Sequence, residues 1–444
     1  MRMHLAWVRN DAFGYGRYGV RLEEALRAEG VEIDATLPFL GLNKEATPTC
    51  EVAAWVGQPT HVRGWFKDQY TVISSMWEAQ RLPEAYRENM HCFDLVVVPS
   101  EQNLELYSRY HPNVKKVHLG VGPEWSFRQR QEPREQFRFL IAGSGIRKGQ
   151  DIAYKAFQAA FLPGRHEGPV PTLTFKTPRM VPYSGPNVEV VSGFLKGQAE
   201  IDLYASSHCY LGPSRGEGWG LQPLQAIAQG MPTILTNAHG QAEYAHLGYG
   251  LSTTSAKAEY FVFGDAGQWW EPNFDELVDY MRFVYNNYEV ACSDARQASV
   301  VAHREFSWQR CAQAFIEAIG RERLGPYTGD GSWVDTTPML YEIKVLRPYD
   351  FNVAGREYQM VPGETYAETA DIKRILWEFG LSGDPILDPA CIGADDSGLH
   401  PDQLEGLALY SASTKHCHTC GQVLNSQPLW ERPDDDLVPM GATT

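Results

Sequence analysis

Pro213-Ser-Arg-Gly-Glu-Gly-Trp-Gly-Leu-Gln-Pro-Leu-Gln-Ala-Ile-Ala-Gln-Gly-Met-Pro232 reads as loop, helix, stop and strand start. Ahead of it, Cys209 to Leu211 closes a short apolar run of strand type, and Thr233 to Thr236 supplies the next strand. Gly216, Gly218 and Gly220 make a loop whose backbone other atoms can approach closely. Pro223 suits the first turn of a helix, where its missing N–H costs nothing. Leu224, Ile227 and Ala228 give that helix one apolar face, and Gly230 with Pro232 ends it. A glycine loop at a helix N-terminus offers free N–H groups to an anion such as phosphate. Glu217 stands in this loop, where a carboxylate is costly unless it does something else, such as hydrogen-bonding a sugar hydroxyl. The plainer reading is an α/β turn with no ligand.

The run Ser214-Arg-Gly-Glu-Gly-Trp-Gly-Leu-Gln-Pro-Leu-Gln-Ala226, with Gly230-Met-Pro232 downstream, resembles the nucleotide-sugar motif of retaining glycosyltransferases of the large family 4. The resemblance covers roughly residues 1–322. It implies the GT-B fold: two facing doubly wound, Rossmann-like parallel-sheet α/β domains with the donor, a nucleotide-diphosphate sugar, in the cleft. Family members usually show two glutamates separated by seven residues. The first is Glu217, implied to meet the donor sugar's hydroxyls. The second place, which meets the ribose, holds Gln225; its carbonyl can accept a hydrogen bond but carries no charge. N–H groups from Gly218, Trp219, Gly220 and Leu221 are implied to lie beside the diphosphate.

Length and composition fit this. A chain of 444 residues should hold two or three domains. It has no run of 18 apolar residues, so no membrane-spanning helix is expected. Its N-terminus reads as a strand, not a signal peptide. Eight cysteines are scattered apart from one Cys-x-x-Cys, which points to a reducing, cytoplasmic setting. The net charge is −16 and uneven: residues 330–444 hold 19 acids against 7 bases, a net of −12, which leaves −4 for residues 1–329. An acidic tail on a nearly neutral body gives no strong nucleic-acid signal.

Outward from the motif, the chain alternates strands and helices. His4 to Arg9 is a strand, Asn10 to Gly19 a glycine loop, Val20 to Glu29 a helix and Val31 to Thr36 a strand, the opening of a doubly wound domain. Gly14 looks like the family's first loop, where it would approach the donor diphosphate from across the cleft. Residues 37–70 read as irregular. Tyr70 to Ser75 is a strand, followed by Trp77 and Glu78 where many relatives carry a histidine that contacts the donor sugar. Glu78 is therefore a candidate carboxylate, against the plainer reading of a surface acid at a strand end. Asp94 to Ser100 is a buried strand ending in a helix N-cap serine. Residues 1–128 make the first, acceptor-side domain.

Residues 129–305 make the nucleotide-sugar domain. Phe137 to Ala142 is its first strand, and Gly143-Ser-Gly-Ile-Arg-Lys-Gly149 follows. Two readings compete here. Gly-x-Gly after a strand can hold a dinucleotide, but that site wants an acid after the second strand, and Thr172 to Lys176 ends in lysine. The resemblance instead implies that Arg147 and Lys148 clamp the diphosphate, with Gly145 beside them. Two fixed cations there would stabilise the departing phosphate without a metal ion or cofactor. Phe194 and Leu195 lie in the bend that the family uses to cup the nucleobase. His239-Gly-Gln-Ala-Glu243 resembles its second glycine turn, with His239 read as structural. Glu305-Phe-Ser-Trp308 opens a last helix, residues 306–325, which in this fold crosses back onto the first domain.

Residues 326–385 read as a small α+β module. Leu340 to Leu346 would pair with Glu357 to Pro362 in a hairpin, and Asp371 to Phe379 would be a helix. Residues 386–444 form an acidic tail with disordered composition. In it, His416-Cys-His-Thr-Cys420-Gly421 is half of a zinc site through Cys417 and Cys420; its second half would have to come from Cys391, His400, His416 or His418. The expected activity is retaining transfer of a sugar to the hydroxyl of an acceptor that the sequence does not identify. Three alternatives stay open: a nicotinamide-dependent oxidoreductase, a hydrolase or phosphorylase using the same donor, and a non-catalytic binding or virion-associated protein.

Overall fold

The computed structural model describes residues 1–7, 14–35, 48–59, 62, 64–130, 136–161, 168–177, 181–193, 195–258 and 266–335, with five strands beyond them. The first domain runs β1 (Arg2–Trp7), α1 (Gly14–Ala28), β2 (Glu32–Ala35), β3 (Val52–Val56), β4 (Gly64–Phe66), β5 (Tyr70–Ser74), α2 (Glu84–Asn89), β6 (Leu95–Val98), α3 (Glu101–Ser108) and β7 (Val114–Lys116). Six of these strands form a parallel sheet in the order β2-β1-β3-β5-β6-β7. Leu95 to Val98 are all buried, as the unbroken apolar run predicts for a parallel strand covered on both faces. Ser100 caps α3 by accepting from the Asn103 N–H.

Two local readings change. Helix α1 begins at Gly14, so Gly14-Tyr-Gly16 is its first turn and not a loop. Two glycines cost about 1 kcal/mol each in a helix. Here the Tyr15 and Tyr18 hydroxyls compensate by anchoring that turn, Tyr15 donating to the Met76 carbonyl at 3.0 Å and Tyr18 pairing with Ser74 at 2.7 Å. The stretch expected to be irregular also holds β3 and β4.

The second domain runs β8 (Arg138–Ala142), α4 (Gln150–Phe161), β9 (Thr172–Thr177), β10 (Val188–Ser192), α5 (Gln198–Ala205), β11 (Cys209–Gly212), α6 (Leu221–Ala228), β12 (Thr233–Thr236), β13 (Tyr249–Leu251), β14 (Thr253–Lys257), β15 (Gln268–Pro272), α7 (Phe274–Asn286) and α8 (Tyr288–Glu305). Its sheet is parallel in the order β10-β9-β8-β11-β12-β13. The order reverses between β8 and β11. In open α/β sheets, ligands bind beyond the strand ends at such a reversal.

Helix α9 (Trp308–Ile319) packs against α1 of the first domain, with Ser307 accepting from the Arg310 N–H at its start. Trp308, Cys311, Ala312, Phe315, Ile316 and Ile319 form its buried stripe, and Trp308 stacks on Tyr18 of α1 at 6.0 Å. A second tie is the antiparallel hairpin β14–β15. Its carbonyl side meets the first domain, where the Gln80 and Arg81 N–H groups donate to Gln268 and Ala266. Trp269 joins the aromatic core around Trp55, Trp65 and Trp77. A cavity of about 380 Å³ opens at this seam between Arg81, Arg109, Tyr110 and Gly267.

Residues 333–335, expected to open the C-terminal module, instead form β16 (Trp333–Asp335) antiparallel to β4, and Trp333 meets Phe66 edge-on at 5.1 Å. Beyond it, β17 (Leu340–Val345) pairs with β20 (Thr365–Thr369) and β21 (Leu407–Ala412), and β18 (Tyr349–Val353) pairs with β19 (Arg356–Met360). The hairpin expected between Leu340–Leu346 and Glu357–Pro362 is therefore replaced. The helix expected at 371–379, Phe194, and Cys417 with Cys420 lie outside the described residues. Among those described, no helix is long and apolar enough to cross a membrane.

Replacing Trp308 with alanine should cost about 3–5 kcal/mol, the usual loss for a buried large aromatic, and lower the thermal midpoint. Val300→Ala, at a position 64 % exposed, should stay within about 0.5 kcal/mol.

Candidate active site

Four of the residues that the sequence singles out, Arg147, Lys148, Glu217 and Glu78, meet where the second sheet reverses its order. The loop after β8 carries Arg147 and Lys148 in a short 3-10 turn, and the loop after β11 carries Glu217. Lys148 Nζ lies 2.6 Å from Glu217 Oε1, and Arg147 Nη1 lies 3.3 Å from Glu217 Oε2. Arg147 Nη1 also donates to the Gly216 carbonyl at 2.5 Å. From the first domain, Glu78 brings Oε1 to 3.9 Å from Arg147 Nη2. Two cations and two carboxylates thus meet, one carboxylate from each domain. Burial alone would push the Glu217 carboxyl up; the Lys148 and Arg147 charges outweigh it and hold the group down at about 2.

The loops owe their shape to a buried scaffold. Arg215 is buried and forks onto Asp151 at 2.8 Å and onto Glu271 at 2.5 and 2.9 Å. Its backbone N–H donates to the Arg147 carbonyl at 2.7 Å, which ties the two loops together. His239 is buried: its Nε2 meets the Ser214 carbonyl at 3.0 Å, and burial pulls its imidazole down to about 4.

Two of the motif glycines serve a contact that the sequence does not reveal. A Cβ at Gly216 would overlap the Glu78 carbonyl oxygen, and one at Gly218 would overlap the Met76 side chain. Both neighbours belong to the first domain, so the glycines let the segment after β5 lie against the loop. Gly220 ends the loop as the residue before α6, which Leu221 opens. The Trp219 side chain is 1 % exposed and packs among His118, Tyr244 and Phe306, so it belongs to the core and not to an open surface. Gln225 is buried on α6, and its Oε1 has no hydrogen-bond partner. A Cβ at Gly14 or Gly145 would meet open space, and Leu195 is half-buried.

The structure adds residues that no local signal announces. Glu243 reaches across to the first domain, accepting from the Glu101 N–H at 2.5 Å and facing His118 at 2.8 Å and Lys116 at 3.3 Å. Burial raises this carboxyl, but His118, the Glu101 N–H and Lys116 hold it at about 2. Arg17 of α1 likewise meets Glu200 of α5 at 2.8 Å, and Glu200 also holds Lys176. The Glu243 contacts and the Arg17–Glu200 pair join residues more than a hundred positions apart, so nothing in a short window marks them.

This architecture is that of the GT-B glycosyltransferases. The chain is similar in structure to sucrose-phosphate synthase from Thermosynechococcus elongatus, with a TM-score of 0.53 and 13 % identity over 71 % of this chain and 98 % of that one. It is also similar to WaaG, a glycosyltransferase involved in lipopolysaccharide biosynthesis, with a TM-score of 0.50 and 14 % identity over 72 % and 100 % of the two chains. Residues 179–315 match the model of a family described as Family 4 Glycosyltransferase in conflict systems. That segment contains Glu217 and Gln225, whereas Arg147, Lys148 and Glu78 lie outside it. No curated protein matches the sequence.

Gly216→Ala should push the two domains apart and cost about 1–3 kcal/mol, as overpacking does; a lower urea midpoint checks this. The depressed Glu217 carboxyl stabilises the fold fully above its ordinary value of 4.5, and that contribution is lost as pH falls toward about 2. In Glu217→Gln, stability measured by urea unfolding should therefore fall less steeply over that acid range.

Proposed function

We propose that this chain is a retaining glycosyltransferase that moves a sugar from a nucleotide-diphosphate sugar to an acceptor hydroxyl without a metal ion. The observation that carries the reading is Glu217 held between Arg147 and Lys148 at the reversal of the second sheet, with Glu78 facing them. The two cations suit a diphosphate, and a donor arriving there competes with Glu217 for them. The carboxylate it displaces is then available to accept from sugar hydroxyls. The orphaned Gln225 Oε1 suits a ribose hydroxyl, which would satisfy a buried acceptor. Gly145 and the N–H groups from Gly218 to Leu221 complete the donor side, and Gly14 and Glu78 face it from the first domain.

In the step itself, the bond from the anomeric carbon to the phosphate oxygen breaks, and the acceptor oxygen bonds to that carbon on the same face. The acceptor's proton passes to the departing phosphate oxygen. Arg147 and Lys148 stabilise the charge that grows there, so no strong protein base is required. The contacts at Gly216 and Gly218 support a closed cleft that keeps water from the donor.

A thermal-shift series with UDP, GDP, ADP and their sugar conjugates tests this. One nucleotide should raise the melting temperature, by about 2.7 kcal/mol of added stability at a hundredfold excess over Kd. Arg147→Ala should abolish the rise, and a chelator should leave the nucleotide-dependent increment unchanged. A shift with NAD alone would point to an oxidoreductase, and no shift with any nucleotide to a non-catalytic protein.

A further inference from the structure

Away from the cleft, three side chains of metal-binding type meet in the first domain. His4 on β1 and Asp34 on β2 are register partners in adjacent parallel strands. Cys50 lies two residues before β3, the strand on the other side of β1, and bridges to Pro326 where the chain returns from α9. The topology β2-β1-β3 therefore brings nitrogen, oxygen and sulfur to one place from residues distant in sequence. Their ligand atoms all lie within 4.8 Å of one another. Cys50 Sγ is 3.3 Å from Asp34 Oδ2, and the Thr49 hydroxyl also bonds that carboxylate.

The group is incomplete as it stands. His4 is only 8 % exposed, and its Nε2 is buried with no hydrogen-bond partner. Leaving a buried polar atom unpaired costs about 1–3 kcal/mol. Ordinary sheet packing gives no reason to place an imidazole here, since the next residues inward on that face, Ala6, Ala53 and Trp55, join an apolar core. The donor set also selects the ligand. Thiolate and imidazole are poor partners for the hard cations calcium and magnesium, which take oxygen. Imidazole, carboxylate and thiolate together are the ligands of zinc, at about 2.0–2.3 Å each in a tetrahedron.

We propose that His4, Asp34 and Cys50 bind one zinc ion, with a water molecule as fourth ligand, as a structural clasp on the first domain. Cys50 gives up its thiol proton to solvent on binding. The ion ties β1 and β2 to the approach of β3 and to the returning chain at Pro326, so it supports the fold and takes no part in sugar transfer.

Cobalt(II), a spectroscopic substitute for zinc, tests the site. The full chain carrying Cys417→Ser and Cys420→Ser removes the tail's own thiol pair. This variant should bind one cobalt per chain, with a thiolate-to-cobalt charge-transfer band and the intense visible bands of tetrahedral geometry. Adding Cys50→Ser should abolish the charge-transfer band. Adding His4→Asn should weaken binding at least tenfold, and zinc should raise the melting temperature only where all three ligands are present. Circular dichroism establishes that each variant is folded. If the tail variant shows no charge-transfer band, or the band survives Cys50→Ser, the proposal is overturned and the trio is a hydrogen-bonded cluster only.

Discussion

The buried carboxylate of Glu217 constrains everything around it. A charge at that depth survives only if opposite charge is brought to it, so the loop after β8 must deliver Arg147 and Lys148 to the loop after β11. That in turn requires the Arg215 fork, which pins the second loop to α4 and β15 through Asp151 and Glu271. Glu78 then meets Arg147 from the first domain. The result is a charge cluster that balances internally and stands at the strand ends where α/β sheets hold their ligands.

The two domains meet through contacts of different character. At the motif glycines the contact is steric, an absence of side chains that admits Met76 and Glu78. At Glu243 it is ionic, with Lys116, His118 and the start of α3 sharing one carboxylate. At β14–β15 it is backbone hydrogen bonding backed by Trp269. These lie on separate elements, so the relative placement of the domains does not depend on one hinge contact alone. A cleft that exchanges substrates must open, and the ionic contact at Glu243 is the one that can break without repacking a core.

Much of this could be read from the sequence, and the failures have physical reasons. The central strand, loop and helix were legible because apolar runs and glycine punctuation fall at the right periods, and β12 matches its expected limits. Helix α8 was missed because its buried side is Ala291, Ala295, Ala298 and Ala302, a stripe too weakly apolar to stand out. Helix α1 began earlier than expected because tertiary hydrogen bonds from Tyr15 and Tyr18 override glycine's local preference. The meeting of Arg147, Lys148 and Glu217 came from a resemblance, since 69 or 70 residues separate the partners. Why Gly216 and Gly218 are glycines became clear only with the first domain in place.

The return of the chain to the first domain has a consequence for synthesis. The second domain is one continuous stretch, with its sheet strands running from β8 to β13. The first is sealed by α9 and by β16, which adds to β4 from the other end of the described body. A ribosome therefore releases the second domain whole while the first still waits for its closing pieces. Domains that emerge N-terminal first usually fold first. Here the order of completion is inverted, and residues 1–128 must stay competent, with Tyr18 of α1 lacking its Trp308 partner, until more than three hundred residues have emerged.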